Sequence, residues 1–223
     1  MSEITHVCFD IGGVANVRTP DYIIVSQAGK HFGKIFSEED LRKMIHPKLE
    51  GRDIWREFQN GAVDAEQYID AAFRIAEVPL TLDNKIFFYR LLEDWCGVSY
   101  QPILNLADRL KQNSYYTSIL SNNNEIMYNT PSAEAIKSRV DVAISSHEIG
   151  FSKPNIPAYI HLLDAIGGTH LRHGLIFVDD QEKNIEMANK LGINGFHFRS
   201  KKLGMDEAFA ELMEELKGKG IRV

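Results

Sequence analysis

The pattern of apolar and polar positions changes character near residue 98. Beyond it, short apolar runs alternate with segments striped at every third or fourth position, so strands predicted over 115–120, 141–145, 175–178 and 195–198 alternate with amphipathic helices. The helix over 101–112 sets Leu104, Ala107 and Leu110 on one face. The next, over 155–166, stops at Gly167-Gly168, and the one over 182–191 ends at Gly192. Phe209, Leu212, Met213 and Leu216 stripe a final helix. Ahead of residue 98 only the run 4–9 reads as a strand. From Asp21 to about Asp94 the segments read as helices with no strand between them. Ser37 and Asp40 match a capping box there, and Asp64 is placed to cap a helix running through Tyr68, Ala71, Ala72 and Ile75.

Strand–helix repetition of this kind folds as parallel strands joined by right-handed crossovers. The expected architecture is α/β: a doubly wound, five-stranded Rossmann-like sheet built from residues 1–16 and 99–223, with an all-helical domain, 17–98, inserted after the first strand. No internal repeat or low-complexity segment interrupts it.

Composition narrows the class. With 223 residues, 44% of them apolar and 25% charged, the chain can bury a substantial core and reads as a soluble globular protein. A net charge of -6, with no run of Lys and Arg longer than Lys201-Lys202, argues against a nucleic-acid partner. No apolar stretch approaches a membrane span, and Met1-Ser2-Glu3 lacks the basic-then-apolar start of a signal peptide, so a cytoplasmic address is expected. Cys8 and Cys96 fit a reducing compartment, have no metal-binding spacing and read as small apolar residues.

The candidate chemistry lies where the predicted strands end. In a parallel sheet every strand points its carboxyl end to one edge, where ligands bind. Asp10 follows the first strand and runs into Gly12-Gly13, Ser121-Asn122 follow the second, Ser145-Ser146 the third with Lys153 shortly after, and Asp179-Asp180 the fourth. Each could serve alone as a helix cap, a turn or a solvated lysine; their joint arrival at one edge suggests a site. Carboxylates meeting there suit a hard divalent cation, and Mg²⁺ favours few protein oxygens together with substrate phosphate oxygens. Asp10 could attack phosphorus to give a phosphoaspartate that water then hydrolyses. Mg²⁺ and Lys153 would screen the repulsion between the two anions. The Ser121 hydroxyl and nearby backbone N–H groups would hold the equatorial oxygens of the transferring group.

Taken together, these motifs resemble the haloacid dehalogenase-like (HAD) hydrolase superfamily, in its phosphatase-rich branch with a helical cap inserted after the first motif. The resemblance spans the whole chain. Phe9-Asp10-Ile11-Gly12-Gly13-Val14 is similar to the first motif, Ile119-Leu120-Ser121-Asn122 to the second, Lys153-Pro154 to the third, and Val178-Asp179-Asp180 with Asn184 and Ala188 to the fourth. It implies Asp10 as nucleophile and a metal set of Asp10, the Gly12 carbonyl and Asp180, with Asp179 bracing that set. It also implies Ser121 and Asn122 on phosphate, and Lys153 orienting the carboxylates. The substrate class implied is a small phosphorylated metabolite.

One position departs from the pattern. Most phosphatases of the superfamily read D-x-D-G-[TV], and the second aspartate protonates the leaving group and then activates water; here that position is Gly12. A positioned acid is worth roughly 10²–10⁴ in rate, so its loss should favour leaving groups that need little protonation. The chain is similar to the D-x-G-[NG]-V branch, which includes sugar 1-phosphate phosphatases; which metabolite it takes, and how many copies assemble, stay open.

Three other readings remain at this stage. A 2-haloacid dehalogenase also lacks the second aspartate, although adjacent Asp179 and Asp180 would hinder a metal-free attack by a third carboxylate. A phosphosugar mutase needs the acid and base that Gly12 lacks. A catalytically silent protein would keep the Mg²⁺ and phosphate sites and act through its cap. Within the insert, Arg18, Arg52, Trp55 and Arg56 are placed to approach a substrate, with Trp55 and Phe58 also reading as cap core. None of the histidines has a catalytic spacing, and only His147 is close enough to Lys153 in sequence to reach the rim.

Overall fold

The computed structural model describes residues 3–223; Met1 and Ser2, and with them the beginning of the N-terminal start and of the 1–16 segment read above, lie outside the described residues. Strand β1 (His6–Phe9) enters a turn and continues into the short β2 (Asn16–Val17). Helices α1 (Asp21–Phe32) and α2 (Glu38–Ile45) follow, then a small hairpin of β3 (Lys48–Leu49) and β4 (Arg52–Asp53), and helices α3 (Ile54–Gln59), α4 (Ala65–Ala76) and α5 (Leu82–Cys96). Strand β5 (Val98–Ser99) pairs antiparallel with β2, so the chain leaves and re-enters the sheet domain at one place.

Alternation then resumes with α6 (Gln101–Gln112), β6 (Tyr116–Ser121), short helices α7 (Glu125–Tyr128) and α8 (Pro131–Lys137), β7 (Val142–Ser145), α9 (Ser146–Ile149) and α10 (Ile156–Ala165). A 3₁₀ turn, Thr169–Gly174, leads to β8 (Leu175–Asp179), α11 (Glu182–Lys190), β9 (Asn194–His197), α12 (Ser200–Leu203) and α13 (Met205–Gly218). The five long strands form one parallel sheet in the order β7-β6-β1-β8-β9.

Side chains alternate across this sheet as strand geometry requires. Val7, Phe9, Ile176 and Val178 pack on one face with α6 and α13, while Cys8, Leu175 and Phe177 pack on the other with α10 and α11. Burial on both faces explains why the strands read as continuous apolar runs. Helices α1 to α5 gather around a separate core that contains Tyr68, Phe73, Phe88 and Leu92 and is joined by Ile126 and Met127 from α7. The capping boxes at Ser37–Asp40 and Asp64–Gln67 are both formed.

The insert is not wholly helical, as the sequence had suggested. The β3–β4 hairpin turns through Glu50 and Gly51, both with positive φ. Positive φ at both central residues is what a two-residue hairpin turn needs, but strands this short leave no readable alternation. The return point imposes a stricter demand. Gly97 has φ +72, and a Cβ there would stand 1.9 Å from the Val17 carbonyl oxygen. Gly97→Ala is therefore expected to cost more than about 1 kcal/mol of stability, seen as a lower urea midpoint; an unchanged midpoint would show that β2 and β5 part without penalty.

Candidate active site

The strand order places a topological switch between β1 and β8, because the chain winds outward in one direction through β6 and β7 and then in the other through β8 and β9. Phe9 and Val178 are register partners, and the Asp10 N–H donates to the Val178 carbonyl at 2.9 Å. Asp10 and Asp179 thus leave adjacent parallel strands side by side, and Asp180 follows at once. One carboxylate oxygen from each of the three lies within 4.8 Å of the others.

Lys153 makes this crowding tolerable. Its ammonium, 1% exposed, lies 3.1 Å from Asp10 Oδ1 and 2.7 Å from Asp179 Oδ2, and donates to the Leu120 carbonyl at 2.6 Å. All its protons have an acceptor. Burial works against the charged lysine, but the two carboxylates outweigh it and hold its pKa well above the ordinary value. Asp179 is fully buried and accepts further bonds from the Gln181 N–H at 2.8 Å and from Asn184 Nδ2 at 2.9 Å. Asp10 has the opposite problem. Burial lifts its pKa from 3.8 to about 6 against the pull of Lys153, with Asp179 and Asp180 adding to the rise.

Asp180 is held from the outside. Its Oδ2 accepts from Gln181 Nε2 at 2.8 Å and lies 2.8 Å from the Lys201 ammonium on α12. Gly13, with φ +74, lets the turn after β1 pass close to it: a Cβ there would come within 2.9 Å of Asp180 Oδ2. The donor set is all oxygen and carries more negative charge than Lys153 can balance, which suits a hard divalent ion such as Mg²⁺. Asn184 Oδ1, buried beside Asp179, has no hydrogen-bond partner among the described residues, as expected of a group close to an ion or its water.

The pH dependence of the metal-free protein follows from the sign of the Asp10 shift. Its folded pKa is raised, so it contributes stability that is complete below 3.8 and is lost as pH rises through about 6. A cation favours the ionised carboxylate and reverses that trend. Added Mg²⁺ is expected to raise the melting temperature more at pH 7.5 than at pH 5; an equal rise at both would place the ion away from Asp10.

Ser121, at the end of β6, is 3% exposed and lines a cavity of ≈ 350 Å³ with Asp10, Gly12, Lys153 and Asp180. Asn122 lines it too, but its side chain is committed elsewhere: Oδ1 accepts from the Lys153 N–H at 2.7 Å and Nδ2 donates to the Lys153 carbonyl at 2.8 Å. Its amide thus fixes the lysine, and only its main chain is left for an anion. Asp179 does not line the cavity and braces it from beneath.

The far wall comes from the insert. Arg18, His46, Trp55, Gln59 and Cys96 line the cavity, whereas Arg52 pairs with Glu57 and Arg56 is exposed outside it. His147 does not reach the rim, because its Nδ1 bonds Ser145 Oγ at 2.6 Å and its ring meets the edge of Tyr128. Ser146 Oγ donates to the Gln59 carbonyl at 2.5 Å, and Ser152 bonds Asn60, closing the insert onto the sheet edge. Asn16, His46 and Gln59 were not singled out from the sequence. Asn16 had a signal, a polar residue in the apolar run Val14-Ala15-Asn16-Val17 close to Asp10; it accepts from the Gly13 N–H and donates to the Cys96 carbonyl. His46 and Gln59 sit at helix ends and had none.

No family model matches the chain. Solved structures do resemble it. A predicted HAD-like family hydrolase from Porphyromonas gingivalis superposes with a TM-score of 0.69 at 21% identity, covering 88% of this chain and 91% of its own. A HAD family enzyme from Bacteroides thetaiotaomicron, in complex with magnesium and inorganic phosphate, gives 0.70 at 18% identity over 87% and 93%. A dehalogenase gives 0.66 at 17% identity over 97% and 98%. The chain thus has the fold of the HAD-like hydrolases.

Proposed function

We propose that this protein is a Mg²⁺-dependent phosphatase for a small phosphorylated metabolite, working through a phosphoaspartate on Asp10. The observation that carries this reading is the meeting of Asp10, Asp179 and Asp180 around buried Lys153 at the sheet switch point. In this reading residues 1–16 and 99–223 form the catalytic core, and 17–98 form a cap that selects the substrate. The magnesium and phosphate bound by the Bacteroides thetaiotaomicron neighbour support the assignment.

Asp10, the Gly12 carbonyl and Asp180 would hold the ion, with Asp179 bracing them. Bound there, Mg²⁺ would neutralise the carboxylates and the substrate phosphate. Asp10 Oδ attacks phosphorus and the ester P–O bond breaks, with Ser121 Oγ and main-chain N–H groups at Asn122 holding the equatorial oxygens. Lys153 keeps Asp10 oriented and its charge balanced. Water then attacks the phosphoaspartate and releases phosphate and free Asp10.

Gly12 offers no proton to the leaving oxygen, so rates should depend steeply on leaving-group acidity. Acyl, aryl and anomeric phosphates are expected to turn over roughly 10²–10⁴-fold faster than alkyl phosphates. Phosphate release across such a series, with and without Mg²⁺, tests the proposal. A flat series would mean that another group supplies the proton. Chloride release from a 2-haloacid without metal would instead indicate a dehalogenase, and ion binding with no turnover of any ester would leave a silent protein.

A further inference from the structure

In-line displacement sends the leaving group away from Asp10, toward the wall that the insert supplies. Among the described residues the one charged side chain on that wall is Arg18. Its guanidinium lies over Trp95, 4.9 Å from the ring centroid, and an ideal Cβ built on Gly12 would stand 3.1 Å from its Nη2. Gly12 therefore leaves empty the space into which Arg18 reaches. Among the described residues Arg18 enters no ion pair. Asp21, the nearby acid on α1, uses Oδ1 to accept from the Trp95 indole at 3.1 Å.

His46 adds no charge beside it. Burial and the positive charge of Arg18 lower its pKa to about 4, so it is neutral at neutral pH and presents an imidazole edge to Trp55 and Trp95. The other cavity cation without an ion pair among the described residues is Lys183, on α11 at the sheet edge rather than on the insert. A guanidinium seated on an indole with no ion pair among the described residues, in a cavity bounded on that side by neutral groups, is a ready partner for an anion.

Resting on the phosphatase reading, we infer that the substrate carries a second anionic group, a carboxylate or a second phosphate, on its leaving portion, and that Arg18 is the residue that binds it. This narrows the substrate to phosphate esters that carry a second anionic group and makes Arg18 a specificity determinant. A phosphate ester of an uncharged sugar would leave the guanidinium without a partner.

Binding of phosphonates, which have no ester bond to break, tests this without turnover. The chain's two tryptophans, Trp55 and Trp95, both belong to this side of the protein, so their fluorescence is the readout. With Mg²⁺ present, 3-phosphonopropionate and propane-1,3-bisphosphonate are titrated against 3-phosphonopropionamide, the neutral match of the first. The wild-type protein should bind at least one of the probes with two anionic groups about tenfold or more tighter than the amide, and the tighter of the two identifies the anion. Arg18→Ala should bring that ratio close to one while the amide binds as before, and Arg18→Lys should keep part of it. An unchanged ratio in Arg18→Ala, a ratio lost in Lys183→Ala instead, or no preference in the wild type would each overturn the inference. Acetyl phosphate hydrolysis by the same preparations tests the phosphatase reading separately, so either can fail while the other stands.

Discussion

Asp10→Asn is expected to abolish phosphate release, on the order of 10⁵–10⁶-fold, in a protein that still folds. The loss is that of a nucleophile, which nothing else in the cavity replaces. Stability should not suffer, for a reason specific to this site. Burial drives the Asp10 pKa up to about 6, so the fold prefers a neutral group there, and Asn supplies one of nearly the same shape. Lys153 keeps Asp179 at 2.7 Å as its counter-charge. The melting temperature of the metal-free variant at pH 7.5 should equal or exceed that of the wild type. A variant that unfolds would show that the Asp10 charge is structural; one that still turns over would remove Asp10 as nucleophile.

Lys153→Met should act on folding first. The ammonium is 1% exposed and serves Leu120, Asp10 and Asp179 at once, so its removal leaves two buried carboxylates facing each other with no cation between them. Deleting one partner of a buried pair costs roughly 3–5 kcal/mol, a large fraction of the stability of an ordinary domain. Urea denaturation of the metal-free protein at pH 7.5 should show a loss of that size, partly recovered as pH falls and the carboxylates take up protons. A loss below about 1 kcal/mol would mean that Asp10 and Asp179 are already neutralised by other means. Activity should be lost with it, because Asp10 would no longer be held.

Much of this site could be read from the chain because its chemistry sits at strand ends. Asp10, Ser121 and the Asp179-Asp180 pair each follow an apolar run, and a parallel sheet brings such ends together whatever lies between them. Lys153 was legible as a lysine after the third strand whose charge would meet the carboxylates; that it is fully buried and shared between Asp10 and Asp179 depends on packing from β6 and β8. Asn122 shows the limit of motif reading, since its position matched a phosphate site while its side chain clamps the Lys153 main chain. The insert was harder. Its helices carried capping signals at Ser37 and Asp64, but the residues that line the cavity come from helix ends and the connection after β2, where no periodicity constrains them. Gly12 was conspicuous as a missing acid. That Arg18 fills the space beside it could be seen only once β2 had turned the chain back over the sheet edge. A carboxylate placed there by Gly12→Asp would meet the guanidinium and be held ionised, so it would make a poor proton donor.

In the proposed mechanism Asp10 carries the phosphoryl group between its two half-reactions. The most direct measurement is mass spectrometry of peptides after rapid acid quench of the protein mixed with Mg²⁺ and acetyl phosphate, in parallel with Asp10→Asn. A phosphoryl adduct is expected on the peptide bearing Asp10, formed before phosphate appears, dependent on Mg²⁺ and absent from the variant. Phosphate release with no such adduct at any quench time, or an adduct that survives in Asp10→Asn, would contradict it.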